Sequence, residues 1–341
     1  MIKKIGFACK LSELHPTKGV VSIPEYNFKT TTVSWLLAQP LQISIDRLWN
    51  LIYHNAAAVY NLVNQVSTYV PELRMVRIGS DMLPCYTHKD WKWFYKQHDV
   101  VSFLEKNLSL VGELARLNDV RLSFHPGQFC VLASDSDDIV SRSIEEFEYH
   151  ADMARWMGYG KKFQDFKINV HIAGRQGPEG IRKVLGSLST EARNCITIEN
   201  EENAWGLEDA LTISDIVPIV LDVHHHWVRE GVYINAASDS VKRVVDSWRG
   251  VRPTMHYSVT REDWLSDHDT NVLPDYHKLL AEGKNKQKLR AHSNFMWNTA
   301  CNEWALSHLS WADIMVESKG KNLSSFNLYR QWKNEMDNNS Q

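Results

Sequence analysis

The chain has 341 residues, of which 43% are hydrophobic and 23% charged, and its formal net charge at pH 7 is −3. That length admits one large α/β barrel or two ordinary domains, and the composition is that of a soluble globular protein with an ample core. A charge so close to neutral excludes binding of nucleic acid by the field of the whole molecule, so any anionic partner must be held by a local patch.

Residues 4–9 predict a short apolar strand, and 12–34 a polar, Pro- and Thr-rich loop, too long for a simple turn and so a candidate functional loop. Across 45–66, Ile45, Leu48, Trp49, Ile52, Ala56, Val59, Leu62, Val63 and Val66 recur at the spacing of a packed helix face. Strand and helix patterns then alternate: 73–78 with 100–117, 120–124 with 139–157, and 166–172 with 180–188. Four more strands are expected at 196–198, 219–223, 254–259 and 314–316, the first three followed by helical patterns. Eight strands alternating with helices predict parallel β/α units closed into a (β/α)₈ TIM-type barrel, with an open doubly wound sheet as the competitor. No G-x-G-x-x-G follows the first strand and no phosphate loop appears, which argues against a nucleotide cofactor. With no shift in composition along the chain, a single barrel domain is expected over 1–321, followed by a polar tail at 322–341. No apolar run approaches the roughly 20 residues a bilayer requires, and the N-terminus shows no signal-peptide core. Cys9, Cys85, Cys130, Cys195 and Cys301 are scattered without a C-x-x-C pair, against both a disulfide framework and a thiolate zinc site. A cytoplasmic monomer with no membrane partner is the expectation.

In a parallel barrel the chemistry sits where strands exit at their carboxyl ends. The third strand exits into His125-Pro126-Gly127-Gln128-Phe129, the fourth at His171, the fifth at Glu199 and the sixth at Asp222, followed by His224, His225 and His226. The seventh carries His256 and the eighth ends at Glu317. Any one of these is ordinarily a rim residue satisfied by hydrogen bonds. Six successive strands delivering acids and imidazoles to one rim carry a desolvation penalty that divalent cations remove. The set exceeds one tetrahedral site and points to two or three ions, with a carboxylate bridging a pair. Nitrogen and oxygen donors admit Zn²⁺, Mn²⁺ or Fe²⁺. Such clusters suit reactions at phosphorus.

Arg77-Ile78-Gly79-Ser80, His125-Pro126-Gly127-Gln128-Phe129, Ile198-Glu199-Asn200, Asp222-Val223-His224-His225 and Met315-Val316-Glu317-Ser318-Lys319-Gly320-Lys321 resemble the UV damage endonucleases. These are DNA-repair barrels related to the endonuclease IV class. The resemblance implies a manganese cluster that hydrolyses the phosphodiester immediately 5′ to a photoproduct in duplex DNA, leaving a 3′-hydroxyl, with metal-bound hydroxide as the nucleophile. It implies that His125, His171 and Glu199 hold one ion, and that Glu199 bridges to a second held by Asp222, His256 and Glu317. Glu199, Asp222 and Glu317 are thereby the catalytic acids. A third ion falls to His225 with a later histidine, His292 being preferred to His268, and His88 stands beside the cluster. Gln128 and Phe129 match the family's Gln-Tyr pair inserted beside a lesion, where an aromatic ring is enough to wedge and stack. Phe7 stands for a family tyrosine near the first strand exit. Lys286 and Lys288, in a loop with Lys284 and Arg290, and Lys319 and Lys321 after Glu317 are placed to contact phosphates if the barrel reading holds. The lysine-rich loop taken alone is more often just a solvated surface. Thr254 departs from the family, which commonly has there a lysine that is carboxylated in some members. Rival readings are an abasic-site endonuclease on the same scaffold, a damage-binding protein with impaired cleavage, and a metal-dependent sugar isomerase.

Overall fold

Short apolar runs form an eight-stranded parallel sheet in this computed structural model, which describes residues 2–338. The strands are β1 (Ile5–Cys9), β2 (Met75–Ile78), β3 (Arg121–Phe124), β4 (Lys167–His171), β5 (Ile196–Glu199), β6 (Ile219–Val220), β7 (Thr254–Tyr257) and β8 (Asp313–Val316). Their order is β6-β5-β4-β3-β2-β1-β8-β7. The two edges meet at a parallel bridge between Asp222 and His256, where the His256 N–H donates to the Leu221 carbonyl at 3.0 Å. The expected α/β barrel is the architecture observed, with helices between the strands.

Side chains alternate across each strand, so two cores form. Ile5, Phe7, Val76, Ile78, Phe124, Ile168 and Val170 pack outward against the helices in the large core. Ala8, Met75 and Met315 form a separate small cluster, which plugs the barrel interior. Gly6 is required there, because a Cβ would come within 2.6 Å of the Met75 carbonyl oxygen. The helix Leu41–Ser67 buries Leu48, Ile52, Val59, Leu62, Val63 and Val66, as its spacing predicts. The helix His98–Leu117 presses Gly112 against the carbonyl of Met157, at the end of the helix Asp137–Trp156. A Cβ at Gly112 would lie 1.8 Å from that oxygen. Gly112→Ala is therefore expected to destabilise the fold by about 1–3 kcal/mol, the usual range for overpacking, read as a lower denaturant midpoint at unchanged slope.

Three expectations change. The 12–34 loop contains a hairpin, Ser12–His15 paired with Gly19–Ser22, with Gly19 at φ +70°. The sixth strand stops at Val220, because the Asp222 side chain caps the helix Val223–Glu230 by accepting from the His225 N–H at 2.7 Å. The polar stretch after 321 is the helix Asn322–Asn338. Leu328 is fully buried there, Phe326, Tyr329 and Trp332 pack beside the core, and Lys333 pairs with Glu72 at 3.0 Å. One narrow apolar face was concealed by the polar residues around it. All five cysteines are free, and among the described residues no helix is long and apolar enough to cross a membrane.

Candidate active site and metal centre

Residues i and i+2 of a strand share a face, so His171 brings Asn169 and Lys167 into the barrel and Glu199 brings Thr197. Glu199 is completely buried and lies at the centre. Its carboxylate is 3.1 Å from His125 Nε2 through Oε2 and 3.1 Å from His256 Nδ1 through Oε1. Asn169 Nδ2 donates to Glu199 Oε2, and Thr197 Oγ1 donates to Asn169 Oδ1 at 2.8 Å, which holds that amide in register. Glu317 lies 3.1 Å from His256 Nδ1 and accepts from Arg77. His225 Nδ1 is 3.6 Å from Glu199, and its Nε2 is 3.9 Å from Asp222 and 3.8 Å from Glu202. The His171 ring sits 4.9 Å from the His125 ring and 5.4 Å from the His225 ring. Three groups have ligand atoms mutually within 4.8 Å: His125–His171–Glu199, His125–His256–Glu317 and Glu199–Asp222–His225.

Burial works against ionisation of Glu199, yet His256 and His171 beside it, with hydrogen bonds from His125 and His256, hold its carboxyl well below the usual range. Burial likewise opposes ionisation of Glu317, and Arg77 and His256 overcome it. Asp222 goes the other way: burial pushes its carboxyl up to about 8, although His225 pulls it down. Burial disfavours the charged His225, but Asp222, Glu199 and Glu202 bring it up to about 9. Burial takes the His125 imidazole down to about 3, leaving it neutral and able to act as a ligand. Asp222 Oδ2 is buried with no hydrogen-bond partner. A buried Asp222 oxygen with no hydrogen-bond partner, grouped with Glu199 and His225, is an oxygen and nitrogen donor set that fits a divalent cation. Thr254 is buried at the start of β7 and offers no amine. A lysine nevertheless reaches the seventh-strand histidine from β4, with Lys167 Nζ 2.8 Å from His256 Nε2 and its ammonium brought down to about 7 by burial.

His292 pairs with Thr260 in an antiparallel bridge and lines a cavity of about 380 Å³ together with His171, His225, Glu202, Arg290 and Gln128. His268 does not line that cavity; its Nε2 lies 2.8 Å from the Val272 carbonyl. Gln128 is exposed and Phe129 is 87% exposed on the β3 exit. Phe7 is corrected: fully buried between Val76 and Val316, it presents no surface to a substrate, because its position on β1 faces the helices. His88 lies on the connection after β2. It lines a separate cavity of about 660 Å³ with Asp81, Tyr86 and Glu146, its Nδ1 is 3.7 Å from Asp90, and it belongs to none of the three ligand groups. The basic loop is tied down. Lys286 Nζ donates to the Glu202 carbonyl, Arg290 donates to the Glu202 carboxylate at 2.8 Å, and Lys288 Nζ sits 4.4 Å from the Trp264 ring. Lys319 is exposed in the turn after β8, and its N–H donates to the Ser293 carbonyl at 3.0 Å. His224 and His226 follow helical rather than strand geometry, and the His224 ring rests 5.8 Å from Trp227 and 6.1 Å from His292. Lys167 and Asn169 went unnoticed in the sequence, although counting back two residues at a time from His171 finds both. Glu202 carried no such signal.

The profile of a family described as UV-endonuclease UvdE matches residues 3–340. A UV DNA damage endonuclease of Bacillus cereus (strain B4264) is 24% identical over 315 residues, covering 88% of this chain and 87% of its own. Among solved structures, the crystal structure of SacUVDE superposes with a TM-score of 0.70 at 22% identity, over 97% of this chain and 98% of that one. The endonuclease IV of Thermus thermophilus superposes with a TM-score of 0.51 at 13% identity, over 81% of this chain and 94% of that one. These two likenesses describe the fold.

Proposed function

The chain belongs to the UV-endonuclease UvdE family and is a DNA repair endonuclease, and from that premise we propose that it hydrolyses the phosphodiester immediately 5′ to UV photoproducts in duplex DNA, leaving a 3′-hydroxyl. In this reading His125, His171 and Glu199 hold one divalent cation. Asp222, His256 and Glu317 hold a second with Glu199 shared, and His225 with His292 a third. Mn²⁺ is the proposed ion, and ions of this kind activate water and neutralise charge developing on the phosphate. The chain's own residues position and discriminate. Asn169 and Thr197 orient Glu199, Arg77 steadies Glu317, Lys167 holds the His256 ring, and Gln128 and Phe129 enter the duplex beside the lesion.

The observation that carries this reading is Glu199, buried and in contact with histidines from two different strands, on a rim whose β3 exit also presents the exposed ring of Phe129. The test is nicking of supercoiled plasmid, irradiated or not, by the full chain with Mn²⁺, followed by mapping of the ends. Nicks confined to irradiated plasmid, with a 3′-hydroxyl 5′ to the photoproduct and none in EDTA, are expected. Equal cutting of undamaged DNA, or cutting in EDTA, refutes the proposal, and a preference for abasic duplex favours the rival specificity. A metal titration provides a separate check. Mn²⁺ at a hundred times its Kd adds about 2.7 kcal/mol of stability. With an unfolding entropy near 2.1 cal/mol/K per residue, that raises the Tm by about 4 °C, reversibly on chelation.

A further inference from the structure

The rim over β1, β2 and β8 gathers Lys10, Arg77 and Lys321 near Glu317. The turn after β8 is tight: the Gly320 N–H donates to the Asn294 carbonyl at 2.7 Å, and a Cβ on Gly320 would come within 2.6 Å of that oxygen. Lys321 follows in the left-handed region at φ 54°, a conformation that L-residues seldom adopt without cause. Its half-buried side chain has Cys9, Arg77, Glu317 and Lys10 as neighbours. Among the described residues, the Lys321 ammonium has no hydrogen-bond or ion-pair partner. Glu317, the nearby carboxylate, already meets Arg77 and, at 3.1 Å, His256. Arg77 Nε is itself buried and unpartnered. Lys321 is thus a partly desolvated cation without a paired anion, beside a guanidinium that keeps one N–H free.

We propose that Lys321 is a catalytic residue whose ammonium, with Arg77 behind it, contacts a non-bridging oxygen of the scissile phosphate. The assignment rests on the site reading above, since that oxygen must lie beside Glu317 for Lys321 to reach it. A donor aimed at a phosphoryl oxygen acts most strongly as charge accumulates there, so its removal lowers kcat more than it weakens DNA binding.

The experiment compares the parent chain with Lys321→Gln and Lys321→Arg. Nicking of irradiated duplex with Mn²⁺ gives kcat and KM, and binding of the same duplex in EDTA across a salt series gives the slope of log Kd against log salt. Melting temperatures confirm folding. Expected for Lys321→Gln is a kcat about a hundredfold to a thousandfold lower with KM within about threefold, and a salt slope smaller by about one counterion. Lys321→Arg restores the slope and at least about tenfold of the lost kcat. An unchanged kcat with a smaller slope means contact with some other phosphate, and a lower kcat with an unchanged slope means action through Glu317 alone. Either result overturns the proposal, as does no change in both. If the parent binds DNA but no divalent cation yields a nick, the hydrolytic reading fails by itself. The slope in EDTA then tests the phosphate contact alone: an unchanged slope in Lys321→Gln overturns that too, and a smaller slope keeps the contact while the catalytic role falls with hydrolysis.

Discussion

Glu199→Gln is expected to fold as the parent does and to nick irradiated DNA at least about a thousandfold more slowly, since under the proposed bridging role several kcal/mol of transition-state stabilisation are lost, a factor of ten for each 1.36 kcal/mol. Glutamine fills the same volume and can still receive the Asn169 amide, so the fully buried position stays packed. What disappears is the negative charge lying between His125 and His256. A neutral amide is a poor ligand for a hard divalent cation and cannot bridge two of them. Single-turnover nicking at saturating Mn²⁺, with circular dichroism as the folding control, measures the effect. A variant that cuts at the parental rate removes Glu199 from the catalytic machinery. The same variant should also lose most of the Mn²⁺-dependent rise in Tm, which separates failed ion binding from failed chemistry.

The double variant Gln128→Ala, Phe129→Ala should lose discrimination for damage while keeping its ion-dependent stability. Stacking of an aromatic side chain on a base is worth about 1–3 kcal/mol, so the preference for irradiated over undamaged duplex is expected to fall by roughly 5- to 150-fold. Phe129 is 87% exposed and takes no part in the core, so its removal should change stability by no more than about 0.5 kcal/mol. The measurement is the ratio of Kd values for the two duplexes, taken in EDTA so that cleavage does not intervene. Phe129→Tyr is expected to keep the ratio, because the wedge requires only a ring. A ratio unmoved by the double variant would show that the lesion is read elsewhere, and the cavity around Tyr86 and His88 would be the next place to examine.

Local pattern carried a long way here. The strand exits could be read because a buried apolar run ending in His, Asp or Glu is conspicuous, and Glu199, His171 and His256 were each found in that manner. The same alternation held Asn169 and Lys167 one and two steps below His171, yet inside a strand they read as interruptions rather than as part of the site. Asp222 was found as an acid but mistaken in its role in the backbone. A cap and a strand residue look alike until the next turn is seen to be helical. Phe7 was misassigned because an aromatic residue near a strand exit can face either side, and the parity of a single position on β1 decides which.

The amino-acid sequence by itself determined the alternation of eight strands with helices and the acids and imidazoles at the strand exits, since each depends on residues a few positions apart. Closure of the barrel decided the rest. It set Lys167 against His256 across 89 positions and Arg77 against Glu317 across 240, tied Arg290 to Glu202 across 88, and brought His292 rather than His268 to the cavity that His225 lines. Contacts of that kind depend on strand register and on the path of long connections, which local spacing does not encode. The physical reason is that a buried charge takes whichever partner the closed fold places within reach, and that partner is selected by geometry in three dimensions.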